Sequence, residues 1–470
     1  MADSMIRERQ QQCRQRLAGA VQALGGKASD NQIDMLSELV IQAMTGHFRL
    51  YHSLQHALEV AGDESPREIL IGLFHDLVQQ QIEPHMPINL AEFVAPHVRE
   101  FLPAHLGGNP TLRLNTDFDR DPTAGMVGMI FGFAPGQELP LLAQTNEFLS
   151  ALAAVKALEP VLPGPELLRL AAGIEATIAF RRVDSKPSEQ LLARIAKINE
   201  SRHFGLSEAE QRDCVRTAVK VANRDVAGFA FDDIGAFLDD TWRLMGETNH
   251  ELLLSTNYTV RGYRTAVQKM SGFLGSLDPN VVFRKFDDEP DSATHEALAA
   301  HAKLNLEVAR LYLGAKLVTI AFLEALSLRV STDASVALIM GDLGSEPRLA
   351  DLSLERHLPK PSRRIEPRGA AQTTTLQLIE VGRASVSDFD LRHSPLATTF
   401  IHHLGFDGLE RALHKSLEFL ANLAGARRDA ERVRAGQDFI ASFDPELSRS
   451  VTQAIHKVFE LRTQRFMTSE

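Results

Sequence analysis

The chain has 470 residues, with 50 Lys and Arg against 61 Asp and Glu, a formal charge of −11 at pH 7. That balance disfavours binding of long nucleic acid or of an anionic membrane surface, and two cysteines, Cys13 and Cys214, exclude a disulfide framework or a cysteine-rich zinc site. The N-terminus lacks the apolar core of a signal peptide, and the most apolar long stretch, 311–326, is too short to span a bilayer and carries Lys316 and Glu324; a cytoplasmic globular protein of two or three domains is expected.

Helical signals dominate. Apolar residues recur at steps of three and four in 36–44, 147–158, 296–313 and 412–425. Residues 106–125, rich in Gly, Pro and Asp, read as a loop. The segment GMVGMIFGFAPG (125–136) lacks the Lys-Ser/Thr ending of a phosphate-binding loop and reads as an apolar turn or a flexible lid. Residues 159–166 form a turn in which Pro165 is placed to open a helix. Ser207 with Glu210 matches a capping box, so a helix is expected from near 208 to about 230. The best strand candidates are VVFRKF (281–286), ASVALIMG (334–341) and TTTLQLIEV (373–381), and 355–372 reads as an exposed basic loop. The expectation is an all-α fold with a small β element in the second half. A boundary near 240 would separate a helical domain, 1–240, from a mostly helical region, 241–470.

The histidines carry the chemical signal. Seven of 17 lie between His47 and His105, where even spacing would put about two. In YHSLQHALEV, His52 and His56 are four apart, which on a helix puts them on one face. In LIGLFHDLV, His75 and Asp76 sit in an otherwise apolar helix, where burying them is costly unless both are satisfied. A divalent metal ion satisfies imidazole nitrogen and carboxylate oxygen together. In VKVANRDVAGF, Asn223 and Asp225 lie in another apolar helix, offering one more carboxylate.

This order, His…His-Asp…Asp, resembles the HD-domain metal-dependent phosphohydrolase superfamily. YHSLQHALEV is similar to the Tyr-His-x3-His-Ala-x2-Val segment of cyclic nucleotide phosphodiesterases and of small bacterial HD proteins, and the resemblance covers roughly residues 45–230. It implies an HD-type helical bundle in which His56, His75, Asp76 and Asp225 hold a divalent metal ion (Mn, Fe, Zn, Mg or Ni). It makes His52 the proton donor to the leaving oxygen of a phosphoester. The substrate it implies is a small phosphorylated ligand or nucleotide, attacked by metal-activated water. It also places Glu175 or Thr177 on a helix facing the site, with ordinary helix packing as the other reading; Arg181, Arg182 and Lys186 follow and offer phosphate contacts, although a solvated helix end is the simpler account of them. His85 and His97 offer ligands for a second ion, but the stretch 106–202 holds no histidine. That favours one ion and argues against the iron-oxygenase branch. The competing reading is a non-catalytic HD scaffold whose second half binds a protein partner or a nucleotide. His295, His301 and His402-His403 read as surface or core residues, and the long apolar helices of the second half offer a homodimer interface.

Overall fold

Leu- and Ala-rich periodic sequence becomes helix almost everywhere in the computed structural model, which describes residues 2–80, 82–83, 86–101, 111–140, 144–182, 185–254, 258–329, 334–340, 352–360, 363–387 and 389–467. Eighteen α-helices and three short strands account for the regular structure among these residues, so the all-α class stands. None of these helices is long and apolar enough to cross a membrane.

The chain forms two compact units. One joins Met1–Gly228 to Asp278–Ala300; the other joins Phe229–Leu277 to His301–Glu470. A single cut near 240 does not anticipate the return of Asp278–Ala300 to the first unit. Asn223 anchors that return: its Nδ2 donates to the Arg284 carbonyl, and its Oδ1 accepts from the Arg284 amide, both at 2.8 Å.

In the first unit the helix Pro66–Phe74 packs against the helices Ala2–Ala23, Leu54–Ala61, Gly164–Ala176 and Glu208–Asp225. It can come so close because of two glycines. A Cβ on Gly72 would lie 2.2 Å from the Ala61 amide nitrogen, and one on Gly173 would lie 2.2 Å from Ile71 Cδ1. Pro165 sits in the opening turn of Gly164–Ala176, as its position suggested. The Ser207–Glu210 capping box is formed: the Ser207 amide donates to Glu210 Oε2 at 2.9 Å, and the Glu210 amide donates to Ser207 Oγ at 3.3 Å. The helix it opens stops at Asp225, short of the expected 230, and a 3-10 turn over Ala227–Ala230 follows.

Several local expectations are corrected. The β element lies in the first half: Val98–Phe101, Thr111–Leu114 and Glu138–Pro140 form an antiparallel sheet in that order, with Thr111 opposite Pro140 and Phe101 opposite Leu112. Residues 125–131 are neither turn nor lid but most of the helix Pro122–Phe131. Asp121 caps it by accepting from the Thr123 and Ala124 amides, and Gly132 ends it in the left-handed conformation. Its glycines serve packing, since a Cβ on Gly128 would lie 2.5 Å from Phe118 Cε1.

The three strand candidates are not strands. Residues 281–286 hold the end of a 3-10 turn and one bridging residue, Phe286. Val336–Met340 is a helix, and 373–381 falls largely within the helix Gly369–Glu380. Thr373 and Thr375 fit the latter because their hydroxyls donate to the carbonyls four residues back, Gly369 at 2.9 Å and Ala371 at 2.7 Å. That same helix begins inside the expected loop 355–372.

Candidate metal centre

Three helix ends deliver the four ligand-type side chains. Ser53 caps the helix Leu54–Ala61 by accepting from the His56 amide at 3.5 Å, so the helix starts after His52. His52 and His56 therefore do not share a helical face, which corrects the one-helix reading. They remain neighbours: their ring centroids lie 6.0 Å apart, and the Tyr51 ring lies 4.9 Å from each. The helix Pro66–Phe74 likewise ends before the His-Asp pair, with His75 as its cap. Asp225 is the last residue of Glu208–Asp225. Sites at helix ends gain freedom in side-chain direction that a mid-helix position lacks.

The end of Pro66–Phe74 is held from two sides. His75 Nδ1 lies 2.8 Å from the Gly72 carbonyl. A carbonyl only accepts, so Nδ1 carries the proton and Nε2 faces the site. Arg49, itself buried, donates to the Asp76 carbonyl at 2.8 Å and to the Leu77 carbonyl at 3.1 Å, and pairs with Glu83 at 2.9 Å. It thereby satisfies carbonyls that the helix terminus leaves open.

His56, His75, Asp76 and Asp225 each offer one ligating atom, and these atoms all lie within 4.8 Å of one another. His75 Nε2 is 3.0 Å from Asp76 Oδ2 and 3.3 Å from Asp225 Oδ1. His56 Nε2 is 3.1 Å from Asp225 Oδ1 and 3.7 Å from Asp76 Oδ2. His75 is 1% exposed, and its Nε2 has no hydrogen-bond partner. No Lys or Arg pairs with Asp76 or Asp225 among the described residues. Two carboxylates thus face two imidazole nitrogens with no cation between them.

The protonation equilibria express the same imbalance. Burial opposes a charge on His75, but Asp76 and Asp225 outweigh it and hold the imidazole well above its usual pKa. Burial pushes Asp76 up, yet His75, then His52 and His56, hold it well below the carboxylate range. Asp225 is held at about 2, against burial, chiefly by His75 and His56. Without a metal, a proton on His75 offsets only one of the two carboxylate charges. Two imidazole nitrogens and two carboxylate oxygens at this spacing also suit a first-row divalent cation, so the buried group can hold a metal ion.

The weaker substrate candidates have other partners. Glu175 is buried, and its Oε1 accepts from Arg181 at 2.7 Å and from Arg194 at 3.0 Å. Thr177 donates to the Ile174 carbonyl at 2.8 Å. His97 lies near Asp121, 3.8 Å from an Oδ2 that Lys156 already holds at 2.7 Å; an ammonium occupies the place a second ion would need. His85 lies outside the described residues.

Two groups that the sequence did not single out belong near the centre. Glu147, in the first turn of the helix Thr145–Leu158, is raised to about 7 by burial and by the charges of Asp76 and Asp225, with Arg181 opposing. Gln79 donates to Asp76 Oδ1 at 2.8 Å, and Asn146 donates to Gln79 at 2.8 Å. Asn146 and Glu147 reach the centre from a helix some 70 residues further along the chain, so no local spacing signals them, whereas Gln79 lies three residues after Asp76. Compared with models of protein families, with curated proteins and with solved structures, the chain matches none of them.

Proposed function

We propose that the chain is a metal-dependent phosphohydrolase of the HD type, acting on a small phosphoester or nucleotide. The observation that carries this reading is the buried His75 Nε2, which makes no hydrogen bond and faces two carboxylates that pair with no Lys or Arg among the described residues. His56, His75, Asp76 and Asp225 hold one divalent ion, and their two negative charges balance it. When bound, such an ion lowers the pKa of a coordinated water and neutralises phosphoryl charge. His52, beside His56 but ahead of its helix, supplies the proton for the leaving oxygen. Glu147, raised to about 7 by burial and by the charges of Asp76 and Asp225, is suited to take the proton of the attacking water.

The test is a screen of generic phosphodiesters and nucleotides with added Mn²⁺. Turnover by the metal-loaded protein, lost on chelation, supports the reading. The scaffold reading draws on the second compact unit, Phe229–Leu277 with His301–Glu470, which has its own packing. It gains the first place if the loaded protein binds metal but turns over no substrate.

A further inference from the structure

Amide side chains are ambiguous in direction, because oxygen and nitrogen look alike until a neighbour decides. Beside the metal centre a backbone group decides for two of them in succession. The Gln80 amide donates to Asn146 Oδ1 at 3.1 Å. A backbone N–H can only donate, so Asn146 must present its oxygen there and its Nδ2 elsewhere. That Nδ2 donates to Gln79 Oε1 at 2.8 Å. Gln79 must then turn its own Nε2 away, and it donates to Asp76 Oδ1 at 2.8 Å. The direction set at one peptide bond thus arrives at one carboxylate oxygen. A fourth bond, from the Val78 amide to Ser150 Oγ at 3.0 Å, pins the same segment to the same helix.

The consequence falls on Asp76. Its Oδ1 is committed to Gln79, and its Oδ2 alone faces His75 Nε2 at 3.0 Å and His56 Nε2 at 3.7 Å. We infer that Gln79 and Asn146 are positioning residues that present Asp76 to a divalent cation through Oδ2 only, and so set the affinity and coordination of the centre. The inference rests on the metal reading above. Gln79 is buried, so its amide has no water to replace Asp76 as a partner. Without the donor, the Asp76 carboxyl is free to rotate and to offer both oxygens. Asn146 acts only through Gln79, which separates its role from that of a ligand.

The experiment is a Co²⁺ titration of the metal-free full chain, followed by calorimetry and by visible absorption, for the wild type, Gln79→Met, Asn146→Ala and the double variant. Groups that orient ligands without touching the metal typically change its affinity by about 10–100-fold, and each single variant should bind Co²⁺ more weakly by that order. The double variant should bind no worse than Gln79→Met alone, because the two residues form one path. The visible bands of the variants should weaken relative to the wild type as a second carboxylate oxygen enters the coordination sphere. Melting of the metal-free variants checks that the fold is kept, and Asn146→Ala, the more remote change, carries the test if Gln79→Met does not fold. Singles that bind as the wild type does, or losses that add in the double variant, overturn the inference while leaving the metal reading intact. A wild type that binds no Co²⁺ overturns both.

Discussion

The second unit and the candidate metal centre of the first bury carboxylates in opposite ways. In the second unit Asp390 receives Lys316 Nζ on both oxygens, at 3.0 and 2.7 Å, and Trp242 Nε1 at 2.9 Å. Glu324 is held by Arg264 at 2.7 and 3.3 Å. Both of these negative charges meet a positive one within the protein. At the candidate centre Asp76 and Asp225 meet imidazoles and the Gln79 amide but no Lys or Arg among the described residues, and one imidazole nitrogen, His75 Nε2, makes no hydrogen bond. A buried ion pair that closes on itself is explained by the fold alone. A buried set that does not close points to something the fold awaits. The comparison also explains why buried charge by itself is a poor guide to a site: Lys316 and Asp390 are as deeply placed as Asp225, yet nothing about them calls for a ligand.

The comparison can be broken by substitution, and Asp76→Ala should have the largest effect. It removes a negative ligand and the acceptor of the Gln79 amide, so metal content and any turnover should both disappear. Elemental analysis of the purified variant beside the wild type checks this. His52→Ala should act differently. Metal content should stay near the wild-type level while turnover falls by about 10²–10⁴, the usual contribution of a general acid; a loss of metal as complete as in Asp76→Ala would make His52 a ligand instead.

The second unit supplies the contrasting arm. Lys316→Met strands Asp390 with Trp242 as its remaining donor, so unfolding stability should drop by about 3–5 kcal/mol. Replacing Asp390 by Leu in the same chain should recover much of that, because the pair is self-contained. Metal affinity should not move in either variant, as denaturant melts and titrations on the same samples would show.

A smaller, graded effect is expected from pH. His75 is raised above its ordinary 6.5, so in the metal-free protein it contributes stability that is full below 6.5 and lost as pH rises through its folded value. Asp225 is depressed from 3.8 to about 2, so its contribution is present above 3.8 and lost as pH falls toward 2. The metal-free protein should therefore melt highest between these limits. Metal binding runs the other way, because the ion must displace the proton that Asp76 and Asp225 hold on His75. The gain in melting temperature on loading should grow from about pH 6 to about pH 8. An unchanged gain would mean that His75 is not a ligand.

The same contrast shows how far residues can be read before a structure. His56, His75, Asp76 and Asp225 could be grouped because their types are rare in apolar helices and their order is distinctive. Their local setting was misread: the apolar runs continue past the true helix ends, and Ser53 stops the first helix from including His52. Asn146 and Glu147 were invisible, since polar residues in amphipathic helices ordinarily face water and only tertiary contact brings this helix to the centre, while Gln79, three residues after Asp76, carries no type or spacing that marks it. The strands Thr111–Leu114 and Glu138–Pro140 were hidden by their shortness, while Thr-rich Gly369–Glu380 imitated a strand because hydroxyl bonds to the backbone offset its low helix propensity.

The most direct test is calorimetric titration of the metal-free chain with Mn²⁺ and Zn²⁺, wild type against Asp225→Ala. Asp225 is the discriminating position because it comes from a helix remote in sequence from the other three residues and lies 3.1 Å from His56 and 3.3 Å from His75. The account predicts about one ion per chain for the wild type, as four converging ligands require, and binding weakened beyond detection in the variant. Absence of binding by the wild type, or equal binding by both proteins, would contradict it.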